Sequence, residues 1–214
     1  MARKFYIFDF DGTLVDSMPY WSEKMLSILR EFHIPYPDDI IKTLATLGDR
    51  GTAEYFRDVM GVPLSVEEMI RRMDDYAMDK YRTVVPLKDG VPDYLRRLKA
   101  AGCSVNILTA SPHHMVDACL RRLGLLSLFD NVWSTDDFGM TKSNGAIYEA
   151  AAQRLGVSVS EPVFFDDNLN AVRTAVGAGM YTVGVYDLSG KDSAEEIRRL
   201  ADRYVETMAG LELL

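Results

Sequence analysis

Hydrophobic and polar positions divide the chain into stretches of different rhythm. Phe5 to Phe8 form a continuous apolar run ended by Asp9, which predicts a short strand buried on both faces of a parallel sheet. From about Asp16 to Val84 the spacing is helical. Pro19 to Phe32 carry Trp21, Met25, Ile28, Leu29 and Phe32 on one stripe, and helical segments follow at about Asp38 to Leu44, Thr52 to Met60 and Ser65 to Tyr81. The breaks between them are Pro35-Tyr36-Pro37, Gly48-Asp49-Arg50-Gly51 and Gly61-Val62-Pro63. Ser65, with Glu68 three positions on, reads as a capping box. No strand pattern interrupts this region, so residues 16–84 are predicted to be an all-helical insertion with a small core of its own.

Beyond Pro86, helix and strand patterns alternate. Strands are predicted at Ser104 to Thr109, Asn131 to Ser134, Pro162 to Phe165 and Tyr181 to Val185. Helices are predicted at Pro92 to Ala101, from Pro112 to near Gly124, at Ser143 to Leu155 and up to Gly177, with Ser111 as a cap for the second of them. The tail adds a helix and an edge strand at Tyr204-Val205. The expected fold class is α/β, an open parallel, Rossmann-like sheet flanked by helices. It is built from residues 1–15 and 85–214, and the helical domain 16–84 is inserted into it.

The polar residues of interest cluster at predicted strand ends, where open α/β sheets bind ligands. Asp9 and Asp11, two apart on an extended backbone, can reach one small volume before Gly12 lets the chain turn. A divalent cation would relieve their repulsion, although Asp9 as a turn cap and Asp11-Gly12 as a turn dipeptide account for the same letters. Thr109 ends the second strand. Its hydroxyl, with the backbone N–H groups of Ala110 and Ser111, can cradle a phosphate, and the same residue can serve as a plain helix cap. Lys142 opens a predicted helix, where the positive end of the dipole disfavours a cation, so an anion should hold it. Asp166 and Asp167 follow an apolar strand. Adjacent side chains there point to opposite sides, so one direct metal ligand is expected of the pair, against N-capping by Asp167 or Asn168.

A net charge of −8 over 214 residues argues against nucleic acid or an anionic membrane as partner. Cys103 and Cys119 lack metal-ligand spacing and read as buried thiols of a reducing compartment. The basic pair Arg3-Lys4 precedes too short an apolar run for a signal peptide, and no stretch is long enough to cross a bilayer, so a cytoplasmic protein is expected.

The stretch Asp9-Phe10-Asp11-Gly12-Thr13 resembles the first signature, D-x-D-G-T, of the haloacid dehalogenase superfamily, in its branch of phosphatases and β-phosphoglucomutase-like enzymes with an α-helical cap. Thr109 at a strand end is similar to the second signature. Lys142 to Tyr148 keep the lysine and tyrosine of the third, K-P-x-P-x-x-Y, without its prolines, and Asp166-Asp167-Asn168 resembles the acidic fourth. The resemblance implies Asp9 as covalent nucleophile, Asp11 as general acid and base, Thr109 and Lys142 as phosphate-holding catalytic groups, and Ala110 as a further phosphate contact. It implies Mg²⁺ at Asp9, Asp11 and Asp167, with Asp166 a further acid. Asp11 argues against a dehalogenase and against the phosphonate-cleaving branch. The expected activity is therefore Mg²⁺-dependent hydrolysis of a small phosphorylated metabolite, through an aspartyl-phosphate, by a monomer or weak homodimer. A sugar phosphomutase and a non-catalytic phospho-ligand sensor are the alternatives. Arg50 is the expected cap residue over the substrate, with Trp21 near it, and hinges are expected near Val15 to Pro19 and Val84 to Pro86. His113 and His114 are expected to be bystanders, since Asp11 already serves acid–base chemistry.

Overall fold

The computed structural model describes residues 3–44 and 46–214; Met1, Ala2 and Ala45, which fall within the expected domain ranges, lie outside the described residues. The chain forms two compact units, Met1–Ser17 with Val85–Leu214, and Met18–Val84.

The first unit is a parallel sheet of six strands in the order β3-β2-β1-β4-β5-β6. In chain order these are β1 (Phe5–Phe8), β2 (Ser104–Thr109), β3 (Asn131–Ser134), β4 (Val163–Asp166), β5 (Tyr181–Val185) and the edge strand β6 (Arg203–Val205). β1 pairs with β2 from Phe5↔Ser104 to Phe8↔Ile107 and with β4 from Tyr6↔Val163 to Phe8↔Phe165. Strand order reverses direction between β1 and β4, which places a topological switch point at their carboxyl ends. The connecting helices flank the sheet, as in a Rossmann-like fold.

Both faces of β1 are covered, which accounts for its unbroken apolar run. Tyr6 and Phe8 stand on one face with Phe165 and pack against Tyr94 of the helix Val91–Ala100; the Phe8 and Phe165 rings stack at 4.6 Å. Ile7 and Phe164 stand on the other, in a cluster with Leu108, Tyr148, Ala171 and Ala175. Each such aromatic, fully buried, contributes roughly 1.5–3 kcal/mol of transfer free energy, so the central strands are firmly seated under whatever their ends carry. Cys103 and Cys119 are buried free thiols, pushed upward in pKa by that burial, Cys119 to about 11.

The second unit contains four helices, α1 (Met18–Glu31), α2 (Ile40–Leu44), α3 (Gly48–Asp58) and α4 (Val66–Thr83), among the described residues. Met25, Ile28, Leu29, Leu44, Phe56 and Met69 centre their core. Ser65 caps α4 by accepting from the Glu68 N–H at 3.1 Å. One expectation shifts here. Gly48-Asp49-Arg50-Gly51 is not a loop: it forms the first turn of α3, where Asp49 suits the positive helix end. The α1 stripe also buries Lys24, which sits over the Trp21 ring and pairs with Asp49 at 2.9 Å. No helix is long and apolar enough to cross a membrane among the described residues.

In the first unit the helices after the insertion are α5 (Val91–Ala100), α6 (His113–Leu123), α7 (Ala146–Arg154), α8 (Leu169–Gly177) and α9 (Ala194–Leu200). The expected helix from Ser143 starts later, because Asn144 turns its side chain back to accept the Ala146 N–H at 3.1 Å. Lys142 therefore lies in a turn before α7, not at its opening. Ser111 does not cap α6; Pro112 holds that position without a side-chain bond.

Candidate active site

The carboxyl ends of β1, β2 and β4 carry the polar residues that the sequence singles out. Asp9 follows β1, is 5% exposed, and its N–H donates to the Phe165 carbonyl at 2.8 Å. Phe10 is turned into the core, so alternation leaves Asp9 and Asp11 on the same side. Gly12 then turns with φ of 77°, and a Cβ there would lie 2.4 Å from a carboxylate oxygen of Asp167. Only glycine lets the turn after β1 come so close to the end of β4. Thr13 completes the contact by donating its hydroxyl to Asp167 at 2.9 Å.

Lys142 reaches this point from its turn. Its ammonium donates to Asp9 at 2.6 Å and to Asp166 at 2.7 Å. The Tyr148 hydroxyl, 3.0 Å from both the Lys142 and Ala171 carbonyl oxygens, fixes that turn against α8. The spacing of Lys142 and Tyr148 thus has a structural reason that does not need the two missing prolines. Asp166 is fully buried and also accepts the Asn168 N–H at 2.7 Å, while Asn168 itself caps α8.

Asp9, Asp166 and Asp167 each offer one oxygen within 4.8 Å of the others. One ammonium against three buried carboxylates leaves negative charge in excess. Burial raises the Asp9 pKa well above the ordinary range, opposed by Lys142 and reinforced by Asp166, Asp167 and Asp11. Burial, then repulsion from Asp166, pushes Asp167 up to about 7. Lys142 is affected in the opposite sense: burial would lower it, but Asp166 and Asp9 more than offset that and hold it firmly charged. A site of hard, uncompensated oxygens fits a divalent cation such as Mg²⁺.

Asp11, expected among the ligands, is not part of this group of three. Its two oxygens accept from the Ser17 hydroxyl at 2.6 Å and the Ser111 hydroxyl at 2.5 Å. Thr109 is buried at the end of β2, and its Oγ1 accepts the Ser111 N–H at 3.0 Å. That N–H, expected in a phosphate cradle, is thus turned onto the threonine, whose hydroxyl proton can still point outward, while Ala110 is exposed beside it. His113 pairs with Asp137 at 2.8 Å and His114 is exposed. Arg50 belongs to the helical unit, 64% exposed, beside Glu67 at 3.6 Å and Glu54 at 3.9 Å.

Ser17 and the hydroxyl role of Ser111 escaped sequence reasoning. A serine beside a turn is usually explained by the turn itself, and only the fold shows that both flank one carboxylate.

The sequence model of haloacid dehalogenase-like hydrolases matches residues 4–179. The protein of Bacillus subtilis (strain 168) named "Putative phosphatase YhcW" is 30% identical over 98% of this chain and 94% of its own length. The phosphoglycolate phosphatase of Psychrobacter arcticus is 28% identical over 94% of this chain and 90% of its own. Among solved structures, a variant of CbbY from Rhodobacter sphaeroides, in complex with xylulose-(1,5)bisphosphate, superposes with a TM-score of 0.81. That match covers 98% of this chain and 96% of the other at 23% identity, a likeness of fold.

Proposed function

This chain belongs to the haloacid dehalogenase-like hydrolases and is a phosphatase, and on that premise we propose that it hydrolyses a small phosphorylated metabolite through an aspartyl-phosphate on Asp9, with Mg²⁺ bound. The observation that carries this reading is the Lys142 ammonium held between Asp9 and Asp166 at the switch point of the sheet, with Asp167 in the same cluster.

Asp9 attacks phosphorus: a bond forms from its carboxylate oxygen as the ester P–O bond breaks, and Asp11 gives its proton to the departing oxygen. Asp11, now a carboxylate, takes a proton from the water that attacks the same phosphorus, which frees inorganic phosphate and restores Asp9. Ser17 and Ser111 hold both Asp11 oxygens and so fix the direction of that proton. Lys142 and Thr109, with the Ala110 backbone, hold the equatorial phosphoryl oxygens. Asp9, Asp166 and Asp167 would hold Mg²⁺, which supplies positive charge against those oxygens when bound. The Met18–Val84 unit, Arg50 included, is the source of substrate choice in this reading and corresponds to the cap.

Phosphate release from a panel of phosphorylated metabolites, including phosphoglycolate and hexose phosphates, tests the proposal. Turnover lost in chelator and restored by Mg²⁺ supports it. Undiminished turnover in chelator overturns the metal assignment, and no release from any panel member overturns the substrate class.

A further inference from the structure

Lys88 lies outside every signature, yet its ammonium is held as firmly as that of Lys142. Its side chain is 17% exposed, and its ammonium has three acceptors for its three protons. They are the Gly12 carbonyl at 2.6 Å, the Tyr186 carbonyl at 2.6 Å and Asp187 at 2.9 Å. Asp187, 6% exposed, is itself fixed by the Ser189 N–H at 2.9 Å and the Ser189 hydroxyl at 2.6 Å.

The placement of these acceptors is informative. Gly12 follows β1 and Tyr186 follows β5, and in the sheet β4 lies between them. Lys88 therefore ties together the loops on either side of the β4 end, where Asp166 and Asp167 sit. The backbone runs the same way: the Lys88 N–H donates to Leu14 at 3.0 Å, and the Asp16 N–H donates to Pro86 at 2.9 Å. The turn that carries Asp11, Gly12 and Thr13 is thus stitched to the segment that carries Lys88. A charged lysine spent wholly on two carbonyls and one carboxylate, near a site already short of positive charge, is costly unless the position of those groups matters.

We infer that Lys88 is a positioning residue of the phosphatase reaction: through the Gly12 carbonyl it sets the turn that aims Asp11 at the leaving oxygen. This rests on the reading of Asp11 as general acid. A misaimed acid costs most when the leaving group cannot depart unaided. Phenyl phosphate and p-nitrophenyl phosphate differ in that respect, while presenting the same phosphoryl group.

The experiment measures kcat and KM on both esters and compares kcat/KM, which reports only the steps up to departure of the leaving group, with Mg²⁺ saturating, for the wild type, Lys88→Met, Asp187→Asn and Asp11→Asn. Lys88→Met should lose about tenfold more activity on phenyl phosphate than on p-nitrophenyl phosphate, with KM little changed, a fraction of the whole acid contribution. Asp187→Asn, which leaves the two carbonyl contacts of Lys88 in place, should keep the wild-type ratio. Should Lys88→Met not fold, Lys88→Arg carries the same test, because a planar guanidinium cannot reproduce three diverging donors. A wild-type ratio in the Lys88 variant, beside a shifted ratio in Asp11→Asn, overturns the role of Lys88 alone. A wild-type ratio in Asp11→Asn overturns the general-acid reading and this inference with it.

Discussion

The two units treat charge in opposite ways. In the helical unit it stays outside, in pairs such as Arg71 with Glu68 at 2.7 Å and with Asp75 at 2.9 Å, one helical turn apart and open to water. In the sheet unit Asp9, Asp166, Asp167 and Lys142 are withdrawn from solvent at the strand ends, with carboxylates outnumbering the cation. Exposed pairs cost and contribute little, whereas buried charge persists only where something else holds it or uses it. Among the described residues of the helical unit the exception is the buried Lys24, paired with the part-exposed Asp49. The contrast locates chemistry by cost: the sheet unit accepts an arrangement that folding alone would not favour.

The sharpest way to break the contrast is to remove the cation from the buried cluster. Lys142→Met leaves Asp9 and Asp166 without their shared donor, and breaking such a buried pair costs about 3–5 kcal/mol. Turnover should fall by about a thousandfold or more, and thermal unfolding should move down by on the order of 10 °C. Activity assays and melting curves check both. A stability loss without an activity loss would make Lys142 a structural ion-pair partner only.

How much of this was open to sequence reading depends on how local each cause is. β2, β3 and β5 have the bounds that their sequence patterns indicate, and Asp9, Thr109 and Asp166-Asp167 stand where the apolar runs of β1, β2 and β4 stop, since a buried strand that ends on polar groups is a local pattern. The turn before α7 escaped because Asn144 and Gly145 read equally as helix. The first turn of α3, read as a Gly-rich loop, escaped for a similar reason. Lys88 and Ser17 could not be read at all: Lys88 meets a carbonyl 98 positions away, and no periodicity encodes such a partner.

A subtler test of the cluster uses pH. The folded-state pKa of Asp167, about 7, lies above its ordinary 3.8. A raised carboxylate pKa contributes stability that is present below the unfolded value and lost as pH rises toward the folded one. In chelator, wild-type protein should therefore lose stability relative to Asp167→Asn between about pH 4 and about pH 7, and Mg²⁺ should remove the difference. Parallel melting curves across that range are the measurement; a difference that does not change with pH would contradict the account. At the other extreme, Glu68→Gln in the helical unit should shift melting by no more than about 3 °C and leave kcat unchanged, because its partner Arg71 is exposed and Arg72 is still partly open to water.

In the proposed mechanism the buried carboxylate at the end of β1, Asp9, takes the phosphoryl group. Quenching the working enzyme with acid and reducing it with borohydride converts an aspartyl-phosphate to homoserine, which peptide mass spectrometry locates. Homoserine at position 9, formed only with substrate and Mg²⁺ and absent from Asp9→Asn, is the predicted result. Homoserine at any other position, or steady phosphate release by Asp9→Asn at a rate near that of the wild type, would contradict it.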